Sequence, residues 1–514
     1  TGEEHIALSV ECNIDSPVMR VLSQSVSPRR MRVELDVWRT QDRVIGTQTG
    51  DLFRNLDGPD PHPTIRRADV VLDLPDRLAV CHHNVAVDPD PYEINLRLQG
   101  LAGFDLPHPL KGRVFGIGVS GPQVYKRKTA RVGSGARVDQ RVVLVGHTAH
   151  PTTIEQWITD VESFASIDPA MLRNRTDAWW SAFWNRSCLV ASGDADAESV
   201  SRAYVLQRFM NCCAGRGPQP IKHNGSVFSV GKPDDPDFRR WGGSGFWFQN
   251  QRLIYWPMLA SGDFDLLDPF FRMYVETLPV HRHRTRTYFG HDGAHVPETI
   301  TFWGTEISAH YGWTPFAERA RPEAECPYVT YHWSGMLELI VMMCERYERL
   351  PDDTFATGCL IPLAHEVIAF YDLHYPRRDG RLFIAPAGSL ETWHEAENPL
   401  PEIAGLRCAI EHLLDLPERI VPPTLQARCE RLLGELPPLP VSRDPQPCLL
   451  PAEQFDRKRN SENPELYAVF PFRLMGVGKP HLDVALRTFR RRDHPSPSCW
   501  SQDDIQMALL GLAE

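Results

Sequence analysis

The chain has 514 residues, 42% of them hydrophobic and 24% charged, a globular balance that excludes a disordered or collagen-like protein. Lys+Arg 55 against Asp+Glu 66 leaves a net charge of −11, which argues against a chain built to coat nucleic acid. No run of about 18 uninterrupted apolar residues occurs, so no membrane span is expected, and the 12 scattered cysteines form no CxxC pair, so neither a metal site nor a disulfide framework is expected.

Residues 1–150 read as an antiparallel β-sandwich domain. Short β-branched or alternating stretches recur at His5–Cys12, Met31–Trp38, Ala68–Leu74, Ile94–Leu98, Arg113–Val119 and Arg141–Gly146. Turn clusters such as Asp57-Gly58-Pro59-Asp60-Pro61 punctuate them. Near Pro151 the period changes. Ile154, Trp157, Ile158, Val161 and Phe164 share one helical face, and Asp168-Pro169 has the form of an N-cap followed by proline at the first helical position. Residues 151–190, with Trp180, Phe183 and Trp184, are expected to form a helical linker.

Residues 191–514 are dominated by helices. Met336, Leu339, Ile340, Met343, Cys344 and Tyr347 follow the i, i+3, i+4, i+7 template; Leu360, Leu363, Val367 and Phe370 form a second stripe, and Ile403, Leu406, Ile410, Leu413 and Leu414 a third. About ten helices without alternating strands suggest an (α/α)6 toroid rather than a βαβ fold. Ser501 and Asp504 resemble a capping box that opens a last helix, expected to run to Glu514 and beyond.

Four segments could carry chemistry. Arg240-Trp241-Gly242-Gly243-Ser244-Gly245-Phe246-Trp247-Phe248-Gln249-Asn250-Gln251-Arg252 mixes flat apolar faces with amide and guanidinium donors, which suits the C–H faces and hydroxyl edges of a sugar. Tyr255 and Trp256 just after it read better as core. Ala387 to Pro399 carries Glu391, Glu395 and Glu397 around Trp393; a carboxyl beside apolar walls is pushed toward its neutral form, as a general acid at neutral pH requires. Leu449 to Pro471 supplies further carboxylates, Glu453, Asp456 and Glu462, from a distant part of the chain. Tyr288 to Thr299 carries His291, His295 and Glu298, which read as substrate contacts or loop residues more than as metal ligands. The basic run His281 to Arg286 reads as a solvated loop, with contact to an anionic sugar as the alternative. There is no GxSxG elbow, no P-loop and no GxGxxG set between a strand and a helix, so serine-hydrolase, nucleotide and dinucleotide classes are disfavoured and no cofactor is expected.

The helical half resembles glycoside hydrolase family 95, the inverting α-L-fucosidases. The likeness rests on Trp180–Ser187, Gln207-Arg208-Phe209 through Pro220, Trp241 through Trp256-Pro257, Ser389-Leu390-Glu391-Thr392, and Leu436-Pro437-Pro438 with Leu466-Tyr467 to Pro471, in the family's order. The resemblance implies a β-sandwich followed by an (α/α)6 toroid. It implies an inverting, exo-acting glycosidase, with Glu391 as general acid and Asn250 positioning the attacking water. Counting back from Leu466-Tyr467 without gaps puts the base at Glu453, with Asp456 or Glu462 as alternatives. Trp241, Trp247 and Trp393 would wall the sugar, and Gln249, Arg252, His291 and Glu298 would contact it.

The chain departs from the family at Phe248, where an asparagine is usual, at Glu453, where an aspartate is usual, at Leu450, where a tryptophan is usual, and at Asn460, Ser461 and Glu462, where histidines are usual. These departures point to a rebuilt sugar pocket. They keep open two alternatives, a glycoside phosphorylase and a non-catalytic carbohydrate-binding protein on the same scaffold. The expected partner is an oligo- or polysaccharide, and export is slightly favoured because glycan-degrading relatives are often exported.

Overall fold

The computed structural model describes the chain apart from residues 1–4, 46–63, 76, 89, 105, 122–130, 134, 224–235, 238–242, 244, 457, 497–500 and 513–514. Two compact units emerge. The described parts of Thr1–Thr49, Asp60–Tyr92 and Asp105–Cys188 form the first, and those of Glu93–Phe104 and Leu189–Glu514 the second.

The first unit is built on an antiparallel sheet. Its strands are β1 (Ile6–Cys12), β2 (Val18–Arg29), β3 (Arg32–Glu34), β4 (Arg43–Ile45), β5 (Thr64–Arg66), β6 (Val70–Asp73), β7 (Arg77–His83), β8 (Val114–Ser120), β9 (Arg131–Gly133) and β10 (Arg137–Ala149). Six of them form one sheet in the order β1-β2-β10-β8-β7-β6, with Val10 opposite Val21 and Ala79 opposite Gly118. One face packs Val18, Ala79, Cys81, Val114, Val143 and Val145 against Trp157 and Val161. The other packs Leu78, Val119 and Val142 against Met31, Val33 and Leu35, so the domain is sandwich-like, with two apolar layers on one sheet.

Trp157 and Val161 belong to helix α2 (Ile154–Ala165), capped by the Thr153 hydroxyl. Gly118 permits this docking, because a Cβ there would sit 2.4 Å from Val161 Cγ1. Helix α3 (Pro169–Arg186) starts from the Asp168 cap as its Asp-Pro pair predicts. Both helices, read above as a separate linker, fall within the first unit.

Several local expectations are corrected. Ile94–Leu98 is not a strand but lies in helix α1 (Pro91–Leu98). Its Ile-x-Leu-x-Leu alternation is overridden by burial of Tyr92, Asn95, Leu96 and Gln99, a helical spacing, and by the Asp90 carboxylate accepting the Tyr92 N–H at 3.0 Å. Met31–Trp38 keeps only Arg32–Glu34 as strand. Strands β2 and β7 carry polar and basic residues that hid them from a hydrophobicity reading. The turn cluster at 57–61 lies outside the described residues.

The second unit is largely helical: α4 (Ala195–Gly215), α5 (Phe248–Ser261), α6 (Phe264–Glu276), α7 (Leu278–Phe289), α8 (Ser308–Tyr311), α9 (Gly335–Arg349), α10 (Asp353–Phe355), α11 (Ile361–His374), α12 (Leu400–Leu414), α13 (Pro423–Glu435), α14 (Leu482–Arg491) and α15 (Asp503–Leu510). Helix α9 is buried from Gly335 to Tyr347 on every side, as befits a central helix, and it packs against α5 and α12. The basic run His281 to Arg286 is no solvated loop: it is part of α7, where His281 and Arg284 are fully buried and hydrogen-bonded to each other at 2.6 Å. Helix α15 does not reach Glu514; it ends at Gly511, whose left-handed φ of 72° terminates it. The continuous helix Asp353–His374 is long and apolar enough to cross a membrane, but 61% of its apolar window is buried in the protein, as in a core helix.

Short strands complete the unit. β11 (Gly245–Trp247) pairs with β12 (Thr299–Thr301), and β13 (Arg377–Arg378) pairs with β14 (Arg381–Leu382). A three-stranded sheet joins β15 (Ala387–Ser389), β16 (Trp393–Pro399) and β17 (Ala452–Phe455).

Candidate active site

The turn between β15 and β16 is three residues long, Leu390-Glu391-Thr392. Ser389 pairs with Trp393 across it, and Leu390 takes a left-handed φ of 53°. That conformation is unfavourable for leucine, so the surrounding contacts must hold it. The result puts Glu391 at the hairpin tip, in the wall of a cavity of about 850 Å³ shared with Trp247, Asn250, Tyr328, Asn460 and Glu462.

The segment after β17 folds back along this hairpin. The Arg459 N–H donates to the Thr392 carbonyl at 2.8 Å. Asn460 Nδ2 donates to Glu391 Oε2 at 3.0 Å, and the Thr392 hydroxyl donates to Glu462 Oε2 at 3.0 Å. Gln249 Nε2 donates to Glu462 Oε1. Burial, then the neighbouring Glu462, push the Glu391 carboxyl up to about 7, against the opposing Asn460 bond. Burial pushes Glu462 up to about 7 as well, while the Thr392 bond and the Arg252 charge oppose the rise.

Behind this pair lies a buried frame. Arg252, 1% exposed, pairs with Glu338 at 2.8 Å and donates to the Tyr467 hydroxyl at 2.7 Å and to the Gln249 carbonyl. Trp256 Nε1 donates to Glu338 at 2.5 Å. Glu298, 3% exposed, accepts the Gln249 N–H at 2.6 Å, and its pKa is raised well above the usual range, chiefly by burial. Glu298 and Arg252 thus fix the backbone of Gln249 from two sides, and Gln249 in turn holds Glu462. Trp247 is buried edge-on between His223 and His310, with ring centres at 5.5 and 5.2 Å.

The residues anticipated from the sequence fall into three groups. Glu391, Asn250 and Trp247 line the cavity, and Gln249, Arg252 and Glu298 stand directly behind it. Glu453, Trp393 and His291 do not line it. Glu453 is exposed on β17 and accepts from Asn398 at 2.6 Å; Asp456 is exposed as well. Trp393 packs on Phe455, and His291 bonds to His374 at 3.1 Å. Glu453 thus stands away from the cavity; the carboxylate that lines it together with Glu391 is Glu462, nine residues further on. Trp241 lies outside the described residues. Tyr255 and Trp256 are core, as read.

Sequence reasoning missed the wall formed by His494, Ser501, Gln502 and Gln506. Its only sequence signal was a polar, amide-bearing stretch at the start of α15. No group of three or more metal-ligating side chains occurs among the described residues.

No curated protein matches the chain. Residues 1–189 match a family model described as the N-terminal part of "Domain of unknown function (DUF5703)". The match spans the sheet unit with α2 and α3 and stops short of the cavity, so the chain is similar to that family in its first unit.

Proposed function

We propose that the helical unit is an inverting, exo-acting glycoside hydrolase with Glu391 as general acid and Glu462 as general base. The observation that carries the reading is that two carboxyls, both pushed up to about 7, face one cavity walled by Trp247 and Asn250. An inverting enzyme needs one carboxyl protonated and one ionised on the two sides of the bond it cleaves.

The surroundings favour this division of roles. Glu462 accepts from Thr392 and Gln249 and feels the Arg252 charge, all of which favour its carboxylate form. Among the described residues Glu391 has one side-chain donor, Asn460, and the neighbouring Glu462 charge favours its protonated form. Asn250, in the wall of the same cavity, orients the water that Glu462 deprotonates, while Glu391 protonates the leaving oxygen.

The proposal extends to the fold. The helices pack in neighbouring pairs, α5 with α6, α6 with α7, α9 with α12 and α12 with α13, which supports an (α/α)6 toroid of the kind the family 95 resemblance implies. A phosphorylase would need cations to hold phosphate, and among the described cavity-lining residues there is neither lysine nor arginine. That favours hydrolysis.

The test is product release from a panel of aryl glycosides and oligosaccharides, with and without phosphate, parent beside Glu391→Gln. Phosphate-independent release by the parent alone, with an anomeric configuration inverted by NMR, supports the reading. Binding without turnover in the parent would replace it with a carbohydrate-binding protein.

A further inference from the structure

Leu390 is 2% exposed as well as left-handed, and Glu391 follows it directly. Relaxation of Leu390 toward an ordinary φ would turn the next peptide group and re-aim the Glu391 side chain. Three bonds from distant parts of the chain anchor the hairpin around this point. The Gly388 N–H donates to the Tyr331 carbonyl at 3.0 Å, the Ser389 hydroxyl to the Pro451 carbonyl at 2.7 Å, and the Arg459 N–H to the Thr392 carbonyl at 2.8 Å. None of the three engages the carbonyl of Glu391.

That carbonyl is met by His394, three residues on in β16, whose Nε2 lies 3.1 Å from it. A carbonyl oxygen only accepts, so the ring must donate, which places a proton on Nε2. The ring is itself flanked by Tyr328, edge-on, with centres 4.8 Å apart and planes at 75°. Tyr328 is 41% exposed and lines the cavity, whereas His394 does not line it. Contacts therefore run from the cavity wall through Tyr328 and His394 to the backbone of Glu391.

We infer that His394 is a positioning residue for the acid: its Nε2–H clasps the Glu391 carbonyl and fixes the direction in which the hairpin tip presents its carboxyl to the cavity. The inference rests on the glycosidase reading of the cavity and adds to it a residue that acts only through Glu391. The donor and the ring can be separated by substitution. Glutamine carries an amide N–H where imidazole carries Nε2–H, but has no ring for Tyr328 to meet. Phenylalanine keeps the ring and lacks the donor. Asparagine has the amide and is too short to reach.

The test compares the parent with His394→Phe and His394→Gln on a glycoside that the parent cleaves and on the dinitrophenyl glycoside of the same sugar, whose leaving group departs without protonation. His394→Phe is expected to lower kcat on the first about 10- to 100-fold with KM within about 2-fold, and to change the second by no more than about 3-fold. His394→Gln should return the first to within about 3-fold of the parent. Each variant is checked for fold by circular dichroism, and His394→Asn replaces His394→Phe if the latter does not fold. Equal losses on both glycosides, or a His394→Gln protein as impaired as His394→Phe, would overturn the inference. Hydrogen exchange of the 389–394 amides by mass spectrometry reads the clasp without turnover: exchange is expected to quicken in His394→Phe and not in His394→Gln. Unchanged exchange in His394→Phe overturns the clasp whatever the kinetics show. A parent that turns over neither glycoside, with exchange quickened in His394→Phe, overturns the hydrolase reading and leaves the clasp supported.

Discussion

The hydroxyl of Thr392, the residue that follows Glu391, donates to the Glu462 carboxylate at 3.0 Å. The hairpin that displays one carboxyl therefore also donates a hydrogen bond to the other. Reacting groups must be held within fractions of an ångström for their geometry to be productive, and a shared three-residue turn does this economically.

The first expected outcome separates the two candidate bases. Glu462→Gln lowers kcat/KM by about 10²- to 10⁴-fold, the usual contribution of a general base, whereas Glu453→Gln changes it by no more than about 2-fold. Steady-state hydrolysis of one cleaved glycoside reads both. The reverse ranking would return the base to β17.

Loss of the acid has a different signature. Glu391→Gln lowers kcat/KM by about 10²- to 10⁴-fold on a natural glycoside, but much less on a dinitrophenyl glycoside, whose leaving group departs without protonation. An equal loss on both substrates would mean that Glu391 positions substrate instead of donating a proton.

The pH profile is expected to be a narrow bell. Activity rises as Glu462 loses its proton and falls as Glu391 loses its own; because the two carboxyls interact, the limbs report apparent constants of the pair. Asn460 favours the Glu391 carboxylate, so Asn460→Ala raises that pKa and moves the alkaline limb to higher pH, by about half a unit to one unit. Thr392→Val removes a donor from Glu462 and moves the acid limb to higher pH by a similar amount. Identical displacement by both variants would undo the assignment of limbs to residues.

Stability should run against activity on the acid limb of that bell. Glu391 and Glu462 have folded-state pKa values raised to about 7, above those of an unfolded chain. The unfolded state thus releases their protons first as pH rises. Their contribution is fully present below the unfolded carboxyl range, near pH 4, and is lost progressively as pH rises through about 7. The double variant Glu391→Gln, Glu462→Gln should therefore gain on the order of 1–3 kcal/mol over the parent at pH 8 and little at pH 5, read by urea denaturation at the two pH values. A gain that does not depend on pH would show that the carboxyls are not neutralised on folding.

The ion pair between Arg252 and Glu338 is the frame's weak point under mutation. Both side chains are buried, and Glu338→Ala leaves the guanidinium charge without its partner. A cost of about 3–5 kcal/mol is expected in the same denaturation assay, together with loss of activity, because Arg252 also fixes the Gln249 carbonyl.

The class of each half was legible in the sequence because periodicity is a property of long stretches. The stripe from Met336 to Tyr347 became α9 and that from Ile154 to Phe164 became α2. Glu391, singled out from its motif and its apolar neighbours, lines the cavity. Glu462 was not chosen, because a gapless count from Leu466-Tyr467 assumes loops of fixed length, and here the chain reverses after Phe455 to lay Asn460 and Glu462 beside the hairpin. Segments such as Ile94–Leu98 and His281 to Arg286 were misread for a related reason. Asn95, Gln99 and Arg284 are satisfied in the interior by partners outside their own helices, and polar residues give no local sign that they will be interior.

The wall held by Asn463–His494 and Arg492–Asp503 also bears on how such a protein diversifies. Glu391 and Glu462 are tied through the β15–β16 turn, while His494, Ser496, Ser501 and Gln502 of the cavity wall come from a stretch about a hundred residues later along the chain. Substitutions in that stretch can reshape what the cavity admits without touching the turn that carries either carboxyl, and on the proposed reading a laboratory library at those four positions would change the ligand before it changed the chemistry.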